Sequence, residues 1–155
     1  MGNAFFDLSS AHAEYGRCID DDRLEQWPDF FTDECLYRVT TARDYREGLE
    51  ASIMSAWSKG MLRDRVSALR QANIYERQAY RHVIGAPCAI DEAGGHIRCE
   101  SSFIVARIMR DGATDLFATG RYLDVFTREN GALKIAERVV VCDSHRIDTL
   151  LAIPL

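Results

Sequence analysis

The sequence predicts an α+β fold in which N-terminal helices pack on one face of a long, curved antiparallel sheet. Apolar residues recur at helical spacing through much of the first half of the chain, whereas the second half contains strand-like runs. Three two-residue turn signals separate those runs, namely Gly94-Gly95, Asp111-Gly112 and Asn130-Gly131. Helices followed by a meander of strands are typical of α+β domains. The chain has 155 residues and shows no repeat or linker, so we expect residues 1–155 to form a single domain.

The first predicted helix ends at the acidic run Asp20-Asp21-Asp22. Its apolar face contains Phe5, Leu8, Ala11, His12, Tyr15, Cys18 and Ile19. Asp22 is placed to cap a second short helix, and Glu25, three residues later, completes a box-like arrangement. This second helix would direct four apolar residues into the core: Leu24, Trp27, Phe30 and Phe31.

The next segments predict one strand and one further helix. Between Cys35 and Thr40 the side chains alternate, with Cys35, Tyr37 and Val39 on one side, as a half-buried strand requires. The polar stretch from Arg43 to Gly48 is predicted to be irregular. After Gly60, apolar residues return at helical spacing and predict a helix: Leu62, Val66 and Leu69.

The second half predicts a meander of four runs, which are Tyr80–Asp91, His96–Met109, Thr114–Arg128 and Ala132–Asp143. These runs are much longer than the typical strand of about 5 to 6 residues. Such long strands have to bend, and Gly85-Ala86-Pro87 and Gly120 are the predicted bulge or kink points. Helices that cover the concave face of a curved sheet give a cone, the nuclear-transport-factor-2-like (cystatin-like) shape.

The predicted strands are apolar on both faces, which a sheet with one solvated face should not be. Phe103 and Val105 point to one side, and Ile104 and Ile108 to the other. Because the helices can cover only one face, we expect an obligate oligomer. The apolar run Val139–Cys142 and the uncharged ending from Leu150 to Leu155 favour the same interpretation. The alternative is that the ending folds back on the chain's own core.

Composition excludes several classes of partner. The net charge is -5 and the basic residues are scattered, so nucleic acid is not an expected partner. The N-terminal residues do not resemble a signal peptide, and no uncharged stretch approaches the roughly 20 residues of a membrane span. We therefore expect a soluble, cytoplasmic protein. The five cysteines form an odd set without close pairs, which is typical of reduced thiols in the core.

No motif predicts a metal, a cofactor or a catalytic residue in this chain. The four histidines are far apart, and none has the spacing of a metal site. The segment from Cys142 to His145 resembles half of a Rieske ligand set, but no C-x-H partner exists in the sequence. Phosphate loops, dinucleotide fingerprints and nucleophile elbows are also absent from the sequence.

Two other functions remain open for a free-standing cone. A lyase or isomerase could use an acid–base pair set against apolar walls, and the candidates are Asp64, His82 and Tyr15. These three side chains could equally be structural polar groups with satisfied hydrogen bonds. A pocket-type binding protein would keep the same fold and hold a ligand without chemistry.

Several segments resemble the β subunit of bacterial aromatic-ring-hydroxylating dioxygenases. They are Tyr15–Asp22, Trp27–Phe31, Cys35–Arg38, Gly60–Arg65, Ala68–Tyr75 and Arg81-His82. Within that family the chain is most similar to small subunits of the terephthalate 1,2-dioxygenase and salicylate-hydroxylase type, including the closing Asp148-Thr149-Leu150 and Pro154-Leu155. The resemblance covers essentially the whole sequence.

This resemblance implies a structural, non-catalytic subunit in an α3β3 complex. The α subunit would carry a Rieske [2Fe-2S] cluster and mononuclear Fe(II), and a separate reductase would deliver electrons from NAD(P)H. The complex would dihydroxylate an aromatic carboxylate such as terephthalate with dioxygen. For the subunit interface, the matched segments and their arginine content give six candidates: Arg63, Arg65, Arg70, Tyr75, Arg81 and His82.

Overall fold

The computed structural model describes residues 2–72, 77–146, 151 and 153–155. The N-terminal half contains α1 (Gly2–Asp20), a 3-10 helix (Leu24–Phe30), β1 (Phe31–Thr41), α2 (Ala42–Arg46), β2 (Met54–Ala56) and α3 (Lys59–Ala72). The C-terminal half contains β3 (Gln78–Ile84), β4 (Cys88–Ala93), β5 (His96–Met109), β6 (Thr114–Glu129) and β7 (Ala132–Cys142). Helices followed by a long meander confirm the predicted α+β class.

The seven strands form one curved sheet in the order β2-β1-β7-β6-β5-β3, with β4 beside β5. All pairings are antiparallel except that between β1 and β7, which is parallel. The sheet is therefore mixed, whereas the sequence predicted an antiparallel one. A parallel pair needs a long crossover between its strands, and here the crossover includes α3 and most of the meander.

The three predicted turns join consecutive strands. Gly94 and Gly95 both have positive φ angles, 60° and 80°, and Asn130 and Gly131 have φ angles of 52° and 83°. Positive φ at both central positions is the mark of the type I′ hairpin, whose twist matches that of the strands. The turn chemistry visible in the sequence thus sets the β4–β5 and β6–β7 hairpins.

The predicted run from Tyr80 to Asp91 is divided into β3 and β4 at Gly85-Ala86-Pro87. β3 pairs with residues 103–109 of β5, and β4 pairs with residues 96–100. Two short strands therefore border one long one. β6 continues through Gly120, where a Cβ atom would overlap the carbonyl oxygen of Val141 on β7. Glycine is needed there for close approach of two strands rather than for a break.

Two local predictions in the helical half are wrong. Arg23, not Asp22, precedes the 3-10 helix, and no side chain caps it. The carboxylates of Asp22 and Glu25 bind the guanidinium of Arg70 on α3 instead. A tertiary ion pair has replaced the local cap. Phe5, predicted to face the core, is 43% exposed.

The stretch from Arg43 to Gly48 is also more regular than predicted. It begins with the five-residue helix α2, and the side chain of Thr41 accepts a hydrogen bond from the backbone N–H of Asp44. Thr at this position satisfies one of the free donors of a helix start. The polar composition of the stretch had concealed this short helix.

The core lies between the helices and the concave face of the sheet. Its largest fully buried apolar side chains include Tyr15, Trp27, Phe31, Tyr37, Tyr122 and Phe126. Cys18, Cys35, Cys99 and Cys142 are buried free thiols and Cys88 is an exposed one, so no disulfide links them. None of the described helices is long and apolar enough to cross a bilayer.

The apolar C-terminal residues and β7 were predicted to indicate an oligomer, but the structure does not support that argument. Leu151, Ile153 and Leu155 are at most 8% exposed within the chain's own core. The run Val139–Cys142 is buried because β7 is a central strand between β1 and β6. Both apolar stretches are therefore accounted for by this chain alone, as the alternative interpretation of the ending proposed.

Candidate functional site

The helices and the concave face of the sheet enclose four polar side chains, which we call the interior cluster: His12, Ser101, Asp124 and Arg138. Each is at most 3% exposed. α1 supplies the histidine, while β5, β6 and β7 supply the serine, the aspartate and the arginine. Asp124 and Arg138 are register partners on neighbouring strands, which places their opposite charges side by side.

Both carboxylate oxygens of Asp124 accept hydrogen bonds from Arg138. The arginine Nε donates to Oδ1 at 2.8 Å, and Nη2 donates to Oδ2 at 2.8 Å. The guanidinium carbon also lies 4.2 Å from the ring centroids of both Tyr15 and Tyr122. A bidentate carboxylate and two aromatic faces together compensate for the loss of water around a buried guanidinium.

His12 links this ion pair to Ser101. Nη2 of Arg138 lies 3.1 Å from His12 Nδ1, and the Ser101 hydroxyl lies 3.1 Å from His12 Nε2. Burial, and then the charge of Arg138, lowers the pKa of His12 to about 3. The imidazole is therefore neutral at physiological pH. Because arginine can only donate, we assign Nδ1 as the acceptor and place the ring proton on Nε2, toward Ser101.

The charges of the interior cluster balance. Burial raises the pKa of Asp124, while the charge of Arg138 and its two hydrogen bonds act in the opposite direction. With the guanidinium bound to both oxygens, the carboxylate is ionised at neutral pH. One positive and one negative charge with a neutral histidine leave no free charge for a substrate.

The ligand atoms of His12, Cys99 and Asp124 lie within 4.8 Å of one another, but this donor set does not suit a metal ion. Burial, and then the negative charge of Asp124, raises the pKa of Cys99 to about 12, so the thiol keeps its proton. Both carboxylate oxygens already bind Arg138. A divalent cation would have to displace the guanidinium and then lie beside it.

The interior cluster is shielded from solvent by its burial. A cleft of about 820 Å³ lies instead at the end of α1, with walls that include Asp20, Arg70, Tyr80 and Arg110. His12, Asp124 and Arg138 do not line this cleft or four other clefts in the described part of the chain. The interior cluster is therefore packed among buried side chains of the cone.

The three side chains predicted for acid–base catalysis have separate surroundings. Asp64 is exposed on α3, whereas the Tyr15 hydroxyl donates to the carbonyl of Leu155 at 2.7 Å. The Nδ1 atom of His82 lies 2.6 Å from a carboxylate oxygen of Asp20. Among the described residues, no hydrogen bond joins any two of the predicted three. The structure does not assemble them into a catalytic site.

The contact between Asp20 and His82 has a structural explanation. β3 is an edge strand, and the backbone N–H of His82 donates to Asp20 Oδ2 at 2.8 Å. Gly16 allows the close approach, since a Cβ there would lie 3.2 Å from His82 Cβ. The end of α1 thus covers part of an otherwise unpaired strand edge.

The structure places five of the six interface candidates, and Tyr75 lies outside the described residues. Arg63, Arg65 and Arg81 are exposed. Arg70 binds Asp22 and Glu25 of its own chain, and the side chain of His82 is only 1% exposed. Arg63 and Arg65 are therefore outward residues, and Arg70 and His82 hold this chain together. Arg81 is exposed, but its Nη1 also lies 3.8 Å from Asp20 Oδ2 of the same chain.

The convex face of the sheet carries an exposed apolar surface, which we call the outer patch: Val83, Ile104 and Leu116. These side chains are 60%, 45% and 64% exposed. Val83 and Ile104 are register partners, and Leu116 lies opposite Ala106, two residues further along β5. Arg81 is the other neighbour of Ala106, so one predicted interface arginine borders the patch.

Sequence analysis missed the interior cluster, although a signal was present. Asp124 and Arg138 lie in apolar strands and face the core. Each is two residues from a buried side chain on the same face, Tyr122 and Val140 respectively. Two charges of opposite sign at core-facing positions of consecutive strands indicate a buried ion pair. His12 had been assigned to the core, but without a partner.

Comparison with known proteins gives a consistent result. The family model described as ring hydroxylating beta subunit matches residues 15–149. The chain is 48% identical over 148 residues to subunit beta 1 of the terminal oxygenase component of terephthalate 1,2-dioxygenase from Comamonas sp, covering 96% of both chains. It is 34% identical over 151 residues to the anthranilate 1,2-dioxygenase small subunit of Burkholderia cepacia, covering 97% of this chain and 94% of the other.

A solved structure supports the same similarity. It is the crystal structure of a β subunit ascribed to an aromatic-ring-hydroxylating dioxygenase of Novosphingobium aromaticivorans. The TM-score is 0.91 and the identity is 40%, with 99% of this chain and 98% of the other covered. The agreement extends over sequence and fold together.

Proposed function

Because this chain belongs to the family of ring-hydroxylating dioxygenase β subunits, we propose that it is the structural, non-catalytic subunit of its complex. It forms one domain, residues 1–155, and acts in the cytoplasm as part of an oxidoreductase. Its role is to hold catalytic α subunits in an α3β3 assembly. The reaction itself takes place on the α subunit.

The packed interior is the observation that carries this proposal. In related cones that act as enzymes, we would expect a cavity lined by titratable groups. Here Arg138, Asp124 and His12 bind one another, and each is at most 3% exposed. The free-standing lyase or isomerase is not favoured, since Asp64, His82 and Tyr15 have separate partners.

The proposed chemistry of the complex follows from the relatives. The α subunit would supply a Rieske [2Fe-2S] cluster and mononuclear Fe(II), and a reductase would supply electrons from NAD(P)H. Two relatives are named for terephthalate and anthranilate, which are both aromatic carboxylates. We propose an aromatic carboxylate of the terephthalate type as the substrate of the complex, which adds two hydroxyl groups from dioxygen.

The convex face of the sheet is the proposed contact surface. The outer patch exposes three large apolar side chains, and Arg81 beside it can form bidentate pairs with carboxylates. Arg63 and Arg65 on α3 are further candidates, and Tyr75 stays a prediction. Arg70 and His82 stay candidates for contacts in the complex, but the described contacts use them within the chain.

Co-expression with the α subunit of the same host tests the proposal. Native mass spectrometry should give a complex of three α and three β chains, with ring hydroxylation that requires α. The isolated β chain should show no turnover. A β chain that converts a substrate unaided, or that remains separate from α, would contradict the proposal.

A further inference from the structure

Three exposed arginines surround the edge strand β3, and we call them the arginine edge: Arg77, Arg81 and Arg110. Arg81 lies within β3. Arg77 and Arg110 each lie one residue beyond Gln78 and Met109, which are the last register partners of β3 and β5. Like charges at neighbouring positions of paired strands do not stabilise the pairing. The sheet of this chain therefore gains nothing from this cluster of positive charge.

Two carboxylates close to the arginine edge are already bound within the chain. The cleft of about 820 Å³ at the end of α1 is lined by two members of the arginine edge and by Asp20 and Asp22. Asp20 accepts a hydrogen bond from the backbone N–H of His82 and also contacts its ring, and Asp22 accepts two hydrogen bonds from Arg70. Both carboxylates are therefore used to hold the end of α1 and the residues after it against β3 and α3.

The guanidinium groups of the arginine edge have donors left for a partner. Neither Arg77 nor Arg110 takes part in an ion pair with another described residue. Arg81 lies 3.8 Å from Asp20 through Nη1 and Oδ2, beyond the range of a direct hydrogen bond. Asp111, which follows Arg110, accepts a backbone N–H of its own turn. Three positive charges are thus available to a partner, although the chain has a net charge of -5.

The arginine edge adjoins the outer patch. Ala79, Arg81 and Val83 alternate on the outward, exposed side of β3. Val83 pairs with Ile104 of the patch, and Ala79 pairs with the half-buried Ile108. An apolar surface therefore continues into a basic margin at the edge of the sheet. An apolar centre with a polar margin, enriched in arginine, is the usual anatomy of a protein–protein interface.

We propose that the arginine edge binds carboxylates of the α subunit, on a surface of α whose apolar side chains cover the outer patch. Because the arginine edge and the outer patch are continuous, one partner covers both. This inference rests on the assembly role proposed above and specifies the chemistry of the partner, which is an acidic margin beside an apolar centre. Arginine suits this role because its planar fork binds a carboxylate through two hydrogen bonds and so fixes the orientation of the partner.

Crosslinking of the complex with α tests the proposal. Arg77→Lys with Arg110→Lys keeps both charges and introduces primary amines, which a carbodiimide joins to carboxylates in direct contact. After native mass spectrometry has shown that the complex forms, we expect crosslinks from these two positions to aspartate or glutamate residues of α. The matched control is Arg17→Lys with Arg46→Lys, at exposed positions of α1 and α2, and it should give no crosslink to α.

Charge reversal measures how much the arginine edge contributes to assembly. Wild-type β and the variant Arg77→Glu with Arg110→Glu are co-expressed with a limiting amount of α, and the β chains bound to α are compared by mass. The bound share of the variant should be at least about 10-fold lower than that of wild type, because each reversed charge would face a carboxylate. Arg17→Glu with Arg46→Glu changes the net charge equally and should compete as wild type does.

A milder variant covers the case in which the reversed chain does not fold. Arg77→Gln with Arg110→Gln removes the charges without repulsion and should lower the bound share by at least about 3-fold. Crosslinks that join positions 77 and 110 only to a second β chain, no crosslink to α, or equal incorporation of the variants and their controls would overturn this inference and leave the assembly role intact. A wild-type chain that does not assemble with α would contradict the assembly role itself, and this inference with it.

Discussion

Each face of the sheet departs in one respect from the usual distribution of polar and apolar groups in a soluble protein. The concave face buries a complete ion pair, Arg138 with Asp124, and connects it to His12. The convex face leaves Val83, Ile104 and Leu116 45% to 64% exposed. One ion pair is therefore buried within an otherwise apolar core, and three large apolar side chains are exposed on the opposite face. This difference indicates that the interior stabilises the cone, while the exterior is the surface available to a partner.

Removing Arg138 should have the largest effect on the lone chain. Arg138→Met leaves the Asp124 carboxylate buried and unpaired, and breaking a buried pair in this way costs about 3–5 kcal/mol. Urea unfolding at neutral pH measures this loss. The double variant Arg138→Met with Asp124→Leu should recover most of the stability because it leaves no buried charge. If Arg138→Met unfolded with a free energy within about 1 kcal/mol of wild type, the ion pair would not be important for the stability of the core.

The next largest effect should be the pH-dependent contribution of His12 to the free energy of unfolding. The folded pKa of about 3 lies below the ordinary value of 6.5, so the unfolded chain binds a proton that the folded chain does not. The stability due to this histidine is full above about pH 6.5 and falls at about 1.4 kcal/mol per pH unit as the pH drops toward 3. Between pH 6 and pH 4 the loss should be about 2–3 kcal/mol.

Comparison with a variant isolates that contribution from the other titrating groups. The difference in unfolding free energy between wild type and His12→Asn, measured by urea unfolding at each pH, should decrease as the pH falls. His96→Asn is the reference variant, since His96 is exposed beside the turn between β4 and β5. A difference that is constant from pH 7 to pH 4 would mean that His12 is not buried in its neutral form.

Arginines on α3 should have smaller effects that depend on their contacts. Arg70→Ala should cost about 1 kcal/mol, because Arg70 binds two carboxylates that are mostly exposed and screened by solvent. Arg63→Ala on the same helix should change stability by less than about 0.5 kcal/mol. Urea unfolding compares the two. Equal losses of stability would contradict the distinction between Arg70, which binds carboxylates of its own chain, and the exposed Arg63.

Much of the fold was predictable because its signals are local. Helical spacing identified α1 and α3, and the turn residues at Gly94-Gly95 and Asn130-Gly131 fixed two hairpins. The parallel pairing of β1 with β7 was not predictable in the same way. These strands are distant in sequence, and neither contains a residue pattern that identifies its partner.

The interior cluster was harder to predict for a specific reason. Counting residues back from the Asn130-Gly131 turn pairs Glu129 with Ala132 and would pair Asp124 with Glu137. A register shift at Val125/Phe126 moves the partner to Arg138 and converts a like-charge pair into an ion pair. β-Bulges of this kind place a side chain without leaving a clear mark in the sequence.

The apolar ending shows a second limit of sequence analysis. A run of uncharged residues has to be covered, but composition does not say whether the same chain or a partner covers it. Leu151, Ile153 and Leu155 are covered by the cone itself. The same argument predicted an apolar convex face, and there Val83, Ile104 and Leu116 are exposed.

The assembly of a variant of the outer patch tests the central claim most directly. Ile104→Lys with Leu116→Lys should leave the lone chain as stable as wild type, since both side chains are already exposed. A control carries the same two added charges at exposed positions away from the patch, Ala93→Lys with Ala132→Lys. Each chain is co-expressed with the α subunit and analysed by native mass spectrometry. We predict that the control forms the six-chain complex and the patch variant does not. A patch variant that assembles like the control would contradict the account.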